Sequence, residues 1–165
     1  MQATFMRRAL QIARLSLGDP GALPYGAVVV KDGQIIGEGL NRALGACDPT
    51  SHGEVEAIRD ACRRLGTSSL EGCDLYTTAE PCPMCVATML ISGIARLYYA
   101  SAAPESIAFI ERLAAKDAKW SRRIGAVDLR REVGLAMDQR QMPATAVLSA
   151  EAHALFEDYA RRAGA

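Results

Sequence analysis

"CDLYTTAEPCPMCVATMLISGIARLYYA", residues 73–100, runs from one strand-like stretch through a helical one into another. CDLYTT reads as a short strand, with aromatic and β-branched residues over a strand's length. Pro83 to Ile91 reads as a helix, with a proline at its first position and Ser92-Gly93 as its stop. IARLYYA reads as the next strand. A strand, a helix and a strand joined by short connections form a right-handed crossover, which makes the two strands parallel. The stretch therefore predicts an α/β fold.

The flanking sequence extends this pattern. AVVVKDGQIIGEGL (27–40) reads as a hairpin, with Asp32-Gly33 giving the positive φ angles of a tight two-residue turn. A loop from Asn41 to Thr50 leads into a helix with the apolar stripe Val55, Ile58, Cys62 and Leu65, ended by Gly66. Before the hairpin, DPGALPYG (19–26) reads as a loop. Before that, Thr4 caps a first helix that turns Phe5, Ala9, Ile12 and Ala13 to one face and stops at Gly18. Helical segments are expected near 105–118 and 127–138. A last helix is expected with Ser149 as cap and Ala152, Leu155, Phe156 and Tyr159 facing inward. The sum is a single domain, 1–165, with a three-layer α/β/α fold and a mixed sheet: an antiparallel hairpin on a partly parallel sheet covered on both faces.

Composition narrows the classes. Half of the 165 residues are hydrophobic and 23% are charged, which is globular. No apolar run is long enough to span a membrane. The first residues, MQATFMRRALQIARLSLG, carry arginines inside their apolar pattern, as an amphipathic helix does and a secretory leader does not. Five cysteines, an odd number, point to a reducing cytoplasm. The 19 basic and 19 acidic residues cancel, which argues against a grip on phosphate backbones. Lys116, Lys119, Arg122, Arg123, Arg130 and Arg131 cluster, and are read as a solvated helical face.

Cys82 and Cys85 lie one helical turn apart behind Pro81. At a helix start two such thiols share a face, and the unpaired N–H groups there favour thiolate. Alone they fit a redox switch, half of a structural zinc clip or part of a working metal site. A redox pair would sit after the first strand of a thioredoxin-like unit, and this pair comes far later. PTSHGEVEAI (49–58) offers a third ligand, His52, at the start of the preceding helix. Crossover helices begin at the carboxyl edge of the strands, where ligands bind in such folds. His52, Cys82 and Cys85 are thus expected at one edge. Three protein ligands leave a fourth tetrahedral position open, as in catalytic zinc. Zinc brings the ionisation of a water at that position near pH 7. Glu54 is the candidate base beside it. Two plainer roles compete: Ser51-x-x-Glu54 also fits a capping box, and Cys47 is close enough in sequence to be a fourth ligand.

His52-Gly53-Glu54, then Pro81-Cys82-Pro83-Met84-Cys85 about one βα unit later, matches the signature of zinc nucleobase deaminases. The chain resembles the cytidine deaminase superfamily, in the branch of bacterial guanine deaminases, tRNA adenosine deaminases and fungal cytosine deaminase. The resemblance runs from about Arg7 to Ala100 and takes in PYGAVVVKDG, GEGLN, DPTSHGEVEAIR and LYTTAEPCPMC. It implies one zinc ion per chain on His52, Cys82 and Cys85, with Glu54 as proton shuttle. It implies Asn41 as a hydrogen-bonding partner of the base, Tyr25 and Gly53 as pocket lining, and a homodimer.

The base is read from finer likenesses. DPTSHGEVEAIRDAC, Pro81-Cys82-Pro83 and RQMP (140–143) are most similar to guanine deaminases. Those enzymes typically follow the strand at Leu97–Ala100 with a Phe-Asp-Asp segment that carries a substrate-contacting acid. Here SAAPESIAFIERLAAKDAKW (101–120) has no such segment, and spacing does not choose among Glu105, Glu111 and Asp117. The Gly-rich Arg-Asp segment of tRNA adenosine deaminases is missing too. His-Gly-Glu also occurs in fungal cytosine deaminase. The expected function is zinc-dependent hydrolytic deamination of a free nucleobase or related aminated heterocycle, guanine first. Cytosine and tRNA adenosine are the alternatives. A catalytically silent zinc- or RNA-binding protein is the rival of another class, and the presence of Glu54 speaks against it.

Overall fold

The computed structural model describes residues 2–121 and 123–164. They form helix α1 (Gln2–Arg14), strands β1 (Leu23–Lys31) and β2 (Gln34–Asn41), helix α2 (Gly53–Leu65), strand β3 (Asp74–Ala79), helix α3 (Pro83–Ser92), strand β4 (Arg96–Ser101) and helices α4 (Ala103–Ala114), α5 (Ala126–Gly134) and α6 (Ser149–Ala163). The chain divides into two compact units, Met1–Arg130 and Arg131–Ala165.

The first unit holds the sheet, in the order β2-β1-β3-β4. β1 pairs antiparallel with β2 and with β3, while β3 and β4 run parallel across α3. The mixed sheet and its three layers are as expected. Alternation along β1 sends successive residues to opposite cores. Val28 and Val30 join Phe5, Ala9, Ile12 and Tyr76 beneath α1, and Ala27 and Val29 join Val55, Ile58, Leu75 and Cys85 beneath α2 and α3. Tyr76 ties the α1 side together, stacked at 4.5 Å on Tyr98 and tilted against Phe5 at 5.3 Å. The hairpin turns at Asp32 (φ 49°) and Gly33 (φ 76°), as read from the sequence.

Several local expectations are corrected. Thr4 lies inside α1 and does not cap it, because the helix already includes Gln2 and Ala3, both good helix formers. Leu23–Gly26 belongs to β1 and not to a loop. Leu23 pairs with Asn41 across a register shift, and Pro24 and Gly26 disguise that strand. Leu65 does not complete the buried stripe of α2; it stays 41% exposed at the helix end. In α6 the cap position is Leu148, and Ser149 is the first helical residue. Leu155, Phe156 and Tyr159 remain 66%, 63% and 74% exposed, and Ala152 is exposed too. Amphipathic spacing says which residues share a face, not that the chain supplies a surface to cover it.

Of the basic cluster, Arg122 lies outside the described residues. Lys119 pairs with Asp117 at 2.8 Å and Arg130 lies 3.7 Å from Glu80. Among the described residues no helix is long and apolar enough to cross a membrane.

Candidate metal centre and cavity

His52 and Cys82 occupy the same position in successive helices. Each is the cap residue, in extended backbone, that precedes α2 or α3, and neither uses its side chain as a cap. The helical ladders start from their carbonyls, with Glu56 N–H donating to His52 O at 2.9 Å and Val86 N–H to Cys82 O at 3.0 Å. Both side chains are thereby free to turn to the common edge, and Cys85 follows Cys82 by one turn. His52 Nδ1 stands 3.6 Å from Cys82 Sγ and 3.4 Å from Cys85 Sγ, and the two sulfurs are 3.6 Å apart.

Tetrahedral zinc, with bonds of about 2.3 Å to sulfur and 2.0 Å to nitrogen, spaces neighbouring donors about 3.5–3.8 Å apart. The three atoms match that spacing, so the donor set fits zinc in both chemistry and distance. Among the described residues this trio is the one group of such donors close enough to hold a metal ion. Cys47 is not part of it. Cys47 sits exposed in the loop with φ 51°, and all five cysteines are free thiols.

The thiols share their proton unequally. The hydrogen bond from Cys85 holds Cys82 down to about 4, with His52 adding to the effect against the cost of burial. Cys85 is pushed well up, first by that same bond and then by burial. A cation replaces the shared proton and lets both serve as thiolates.

Glu54 is 6% exposed and lies on the first turn of α2. Burial pushes its carboxyl above the usual carboxylate range, opposed by its own backbone N–H, by His52 and by a hydrogen bond with Cys85. The capping box does not form. The cap is His52 and not Ser51, and the Ser51 N–H such a box would give to Glu54 donates instead to Asp48 O at 3.1 Å. The carboxyl keeps the first-turn N–H of its own residue as a partner and also bonds Cys85 of the trio.

Two cavities adjoin the trio. A small one, about 60 Å³, is lined by Tyr25, Asn41, His52, Glu54, Glu80 and Cys82 among others. A larger one, about 520 Å³, shares Asn41, His52 and Cys82 and continues past Leu44, Ile110 and Trp120. Tyr25 and Asn41 thus line cavity walls. The amide of Asn41, itself 2% exposed, is oriented by Ala43 N–H donating to its Oδ1 at 3.2 Å. Tyr25 packs its ring edge-on to Phe109 of α4 at 6.3 Å. Gly53 lines neither cavity and packs against the backbone of Tyr25.

None of Glu105, Glu111 and Asp117 borders either cavity; the second carboxylate at the small one is Glu80. Sequence reasoning missed Glu80; the signal that marks it is its place between β3 and Cys82, at the carboxyl edge where such folds bind ligands. Ser106 and Arg130 also reach the small cavity, from α4 and α5. No local signal in the sequence marks either.

Comparison with known proteins agrees with this geometry. Residues 1–101 match the family model of the cytidine and deoxycytidylate deaminase zinc-binding region. The chain is 45% identical over 98 residues to a guanine deaminase of Bacillus subtilis, covering 59% of this chain and 63% of the relative. It is 42% identical over 97 residues to a tRNA-specific adenosine deaminase of Aquifex aeolicus, covering 59% of this chain and 64% of the relative. The chain thus covers less than two thirds of the length of either relative. The crystal structure of guanine deaminase from Bacillus subtilis superposes with a TM-score of 0.81 at 31% identity, over 96% of this chain and 93% of that one.

Proposed function

The chain belongs to the cytidine and deoxycytidylate deaminase zinc-binding family, and on that premise we propose that it is a hydrolytic deaminase of a free aminated nucleobase, guanine first. One observation carries the proposal. Glu54, buried and two residues after a metal-ligating position, lines the same small cavity as His52 and Cys82.

His52, Cys82 and Cys85 would hold zinc, which would supply Lewis acidity and make a water acidic near neutral pH. Glu54 accepts the proton of the attacking water and passes it to a ring nitrogen; it then takes the proton of the new hydroxyl, as that oxygen becomes the carbonyl, and delivers it to the amine, which leaves as ammonia. Proton transfer of this kind contributes roughly 10²–10⁴-fold. Its burial suits it to the task, because a carboxylate whose carboxyl is held above its usual range takes the proton of the attacking water more readily than an exposed one would. Asn41 binds the base, Tyr25 shapes the wall beside it, and Gly53 packs behind Tyr25.

Likeness to the guanine deaminase extends over nearly the whole fold, which favours guanine. Likeness to the tRNA deaminase at 42% identity supports a second reading, adenosine in a tRNA loop. We place the protein in the cytoplasm from its odd cysteine count, and as a homodimer from the exposed apolar residues Leu90 and Ile91 on α3.

The test is ammonia release from guanine, cytosine, adenine, guanosine, aminotriazines and a tRNA anticodon stem-loop, with Glu54→Gln as control. Release from guanine that the variant lacks, while it keeps zinc, is the expected result. Normal turnover by the variant overturns the assignment.

A further inference from the structure

Glu80 is held more firmly than a surface acid. Its backbone N–H donates to Ser101 O at 2.8 Å, and its Oε2 accepts the N–H of Ala103, the first residue of α4, at 2.9 Å. Both the chain and the carboxylate are therefore fixed. The other oxygen, Oε1, lies 3.7 Å from the Arg130 guanidinium, too far for a hydrogen bond between them. An exposed pair at that distance adds little to stability. Yet both residues line the small cavity together with Glu54. An acceptor and a donor thus stand side by side at the wall, each with hydrogen-bonding capacity left for a third group.

We propose that Glu80 and Arg130 determine the specificity of the site by reading a cyclic amide, N–H beside C=O, next to the amine-bearing carbon of the substrate. The proposal rests on the deaminase reading above and narrows it to 2-amino-6-oxo rings. Such a ring presents a nitrogen on each side of the reacting carbon. Glu54 serves one by proton transfer, and Glu80 accepts the N–H of the other while Arg130 donates to the carbonyl beyond. Cytosine and adenine have one nitrogen beside the reacting carbon; with Glu54 serving it, a ring carbon stands where guanine carries that N–H and leaves the Glu80 carboxylate without a donor. A site that hydrogen-bonds a substrate group strongly rejects analogues that leave its partner unpaired. The small cavity, about 60 Å³, holds only this reacting edge, and the adjoining cavity of about 520 Å³ has room for the remainder of the ring system.

The decisive comparison is guanine against 2-aminopurine, which has the same reacting carbon but neither the N–H nor the carbonyl. The wild-type protein, loaded with zinc, is expected to prefer guanine by at least 100-fold in kcat/KM. Glu80→Gln keeps an oxygen for Ala103 and turns an N–H₂ donor toward the cavity, so the preference narrows at least tenfold. Arg130→Met raises KM for guanine and leaves that for 2-aminopurine unchanged. Equal handling of both bases by the wild type, or an equal loss on both bases in each variant, overturns the proposal and leaves the pair a structural prop. Equilibrium binding of the two bases to the zinc-loaded proteins is measured in parallel. If binding shows the preference and its loss while no ammonia appears, the deaminase reading falls and the recognition by Glu80 and Arg130 stands. If binding shows no preference, the recognition falls whatever the turnover.

Discussion

Gly53 touches Tyr25 backbone to backbone: a Cβ on Gly53 would stand 2.6 Å from the Tyr25 carbonyl oxygen and 3.4 Å from the Cα of Gly26. The contact presses the first turn of α2 against β1 between the metal-ligating His52 and the acid Glu54. Its place in the chain, one residue from each, gives it leverage over both.

Gly53→Ala is therefore expected to push the start of α2 off β1, although the helical backbone itself tolerates alanine. Overpacking of this kind costs about 1–3 kcal/mol. Displacement of Glu54 lowers kcat more than it changes KM, because small errors in catalytic geometry act on the reacting state. Thermal melts and steady-state kinetics check both. An unchanged melt with unchanged kcat would show that the contact yields at no cost.

Leu90 and Ile91, at 75% and 87% exposure, crown the helix that carries Cys85. If they seat a second copy, Leu90→Glu together with Ile91→Glu converts the protein from dimer to monomer in light scattering. Because neither side chain contributes to the described core, the zinc content of the variant stays unchanged. A wild type that is already monomeric refutes the dimer.

Much of this was legible in the chain, and the reasons are local. The βα units announced themselves by period and punctuation, so β3, α3 and β4 fell close to their expected bounds. The metal trio was legible because the topology places successive helix starts at one edge, and His52 and Cys82 are those starts. The far wall of the cavity was not. Arg130 reaches it from α5, 50 residues beyond Glu80 in the chain, and only tertiary packing joins the two. The stripe of α6 was legible as a stripe, but whether it is buried depends on surfaces that periodicity does not describe.

Cys47 lines the larger cavity with His52 and Cys82, yet its thiol stands outside the ligand trio. Cys47→Ser is accordingly expected to keep one zinc per chain and an unchanged affinity. Cobalt substitution gives an independent reading, since the intensity of the sulfur-to-metal absorption follows the number of bound thiolates. Loss of that intensity in the variant would make Cys47 a ligand and close the position that hydrolysis requires.

Removal of zinc bears on both stability and protons. Its ligands come from two helices, so binding ties α2 to α3 and stabilises the folded state by mass action, about 4 kcal/mol at a free concentration 1,000 times Kd. For a chain of this size each kcal/mol moves Tm by about 2–4 °C, so chelation is expected to lower Tm by roughly 8–16 °C. The proton count follows from the thiols. With Cys82 held down to about 4 and Cys85 pushed up, the metal-free pair carries one proton at neutral pH. Loading zinc at pH 7 therefore releases about one proton from the pair, not two. As pH falls toward 4 Cys82 gains its proton as well, the release rises toward two, and affinity weakens more steeply. Calorimetric titrations in buffers of different ionisation enthalpy measure that number directly. A release of two at pH 7 would mean that both thiols hold their protons in the metal-free protein and that the hydrogen bond between them does not favour one thiolate.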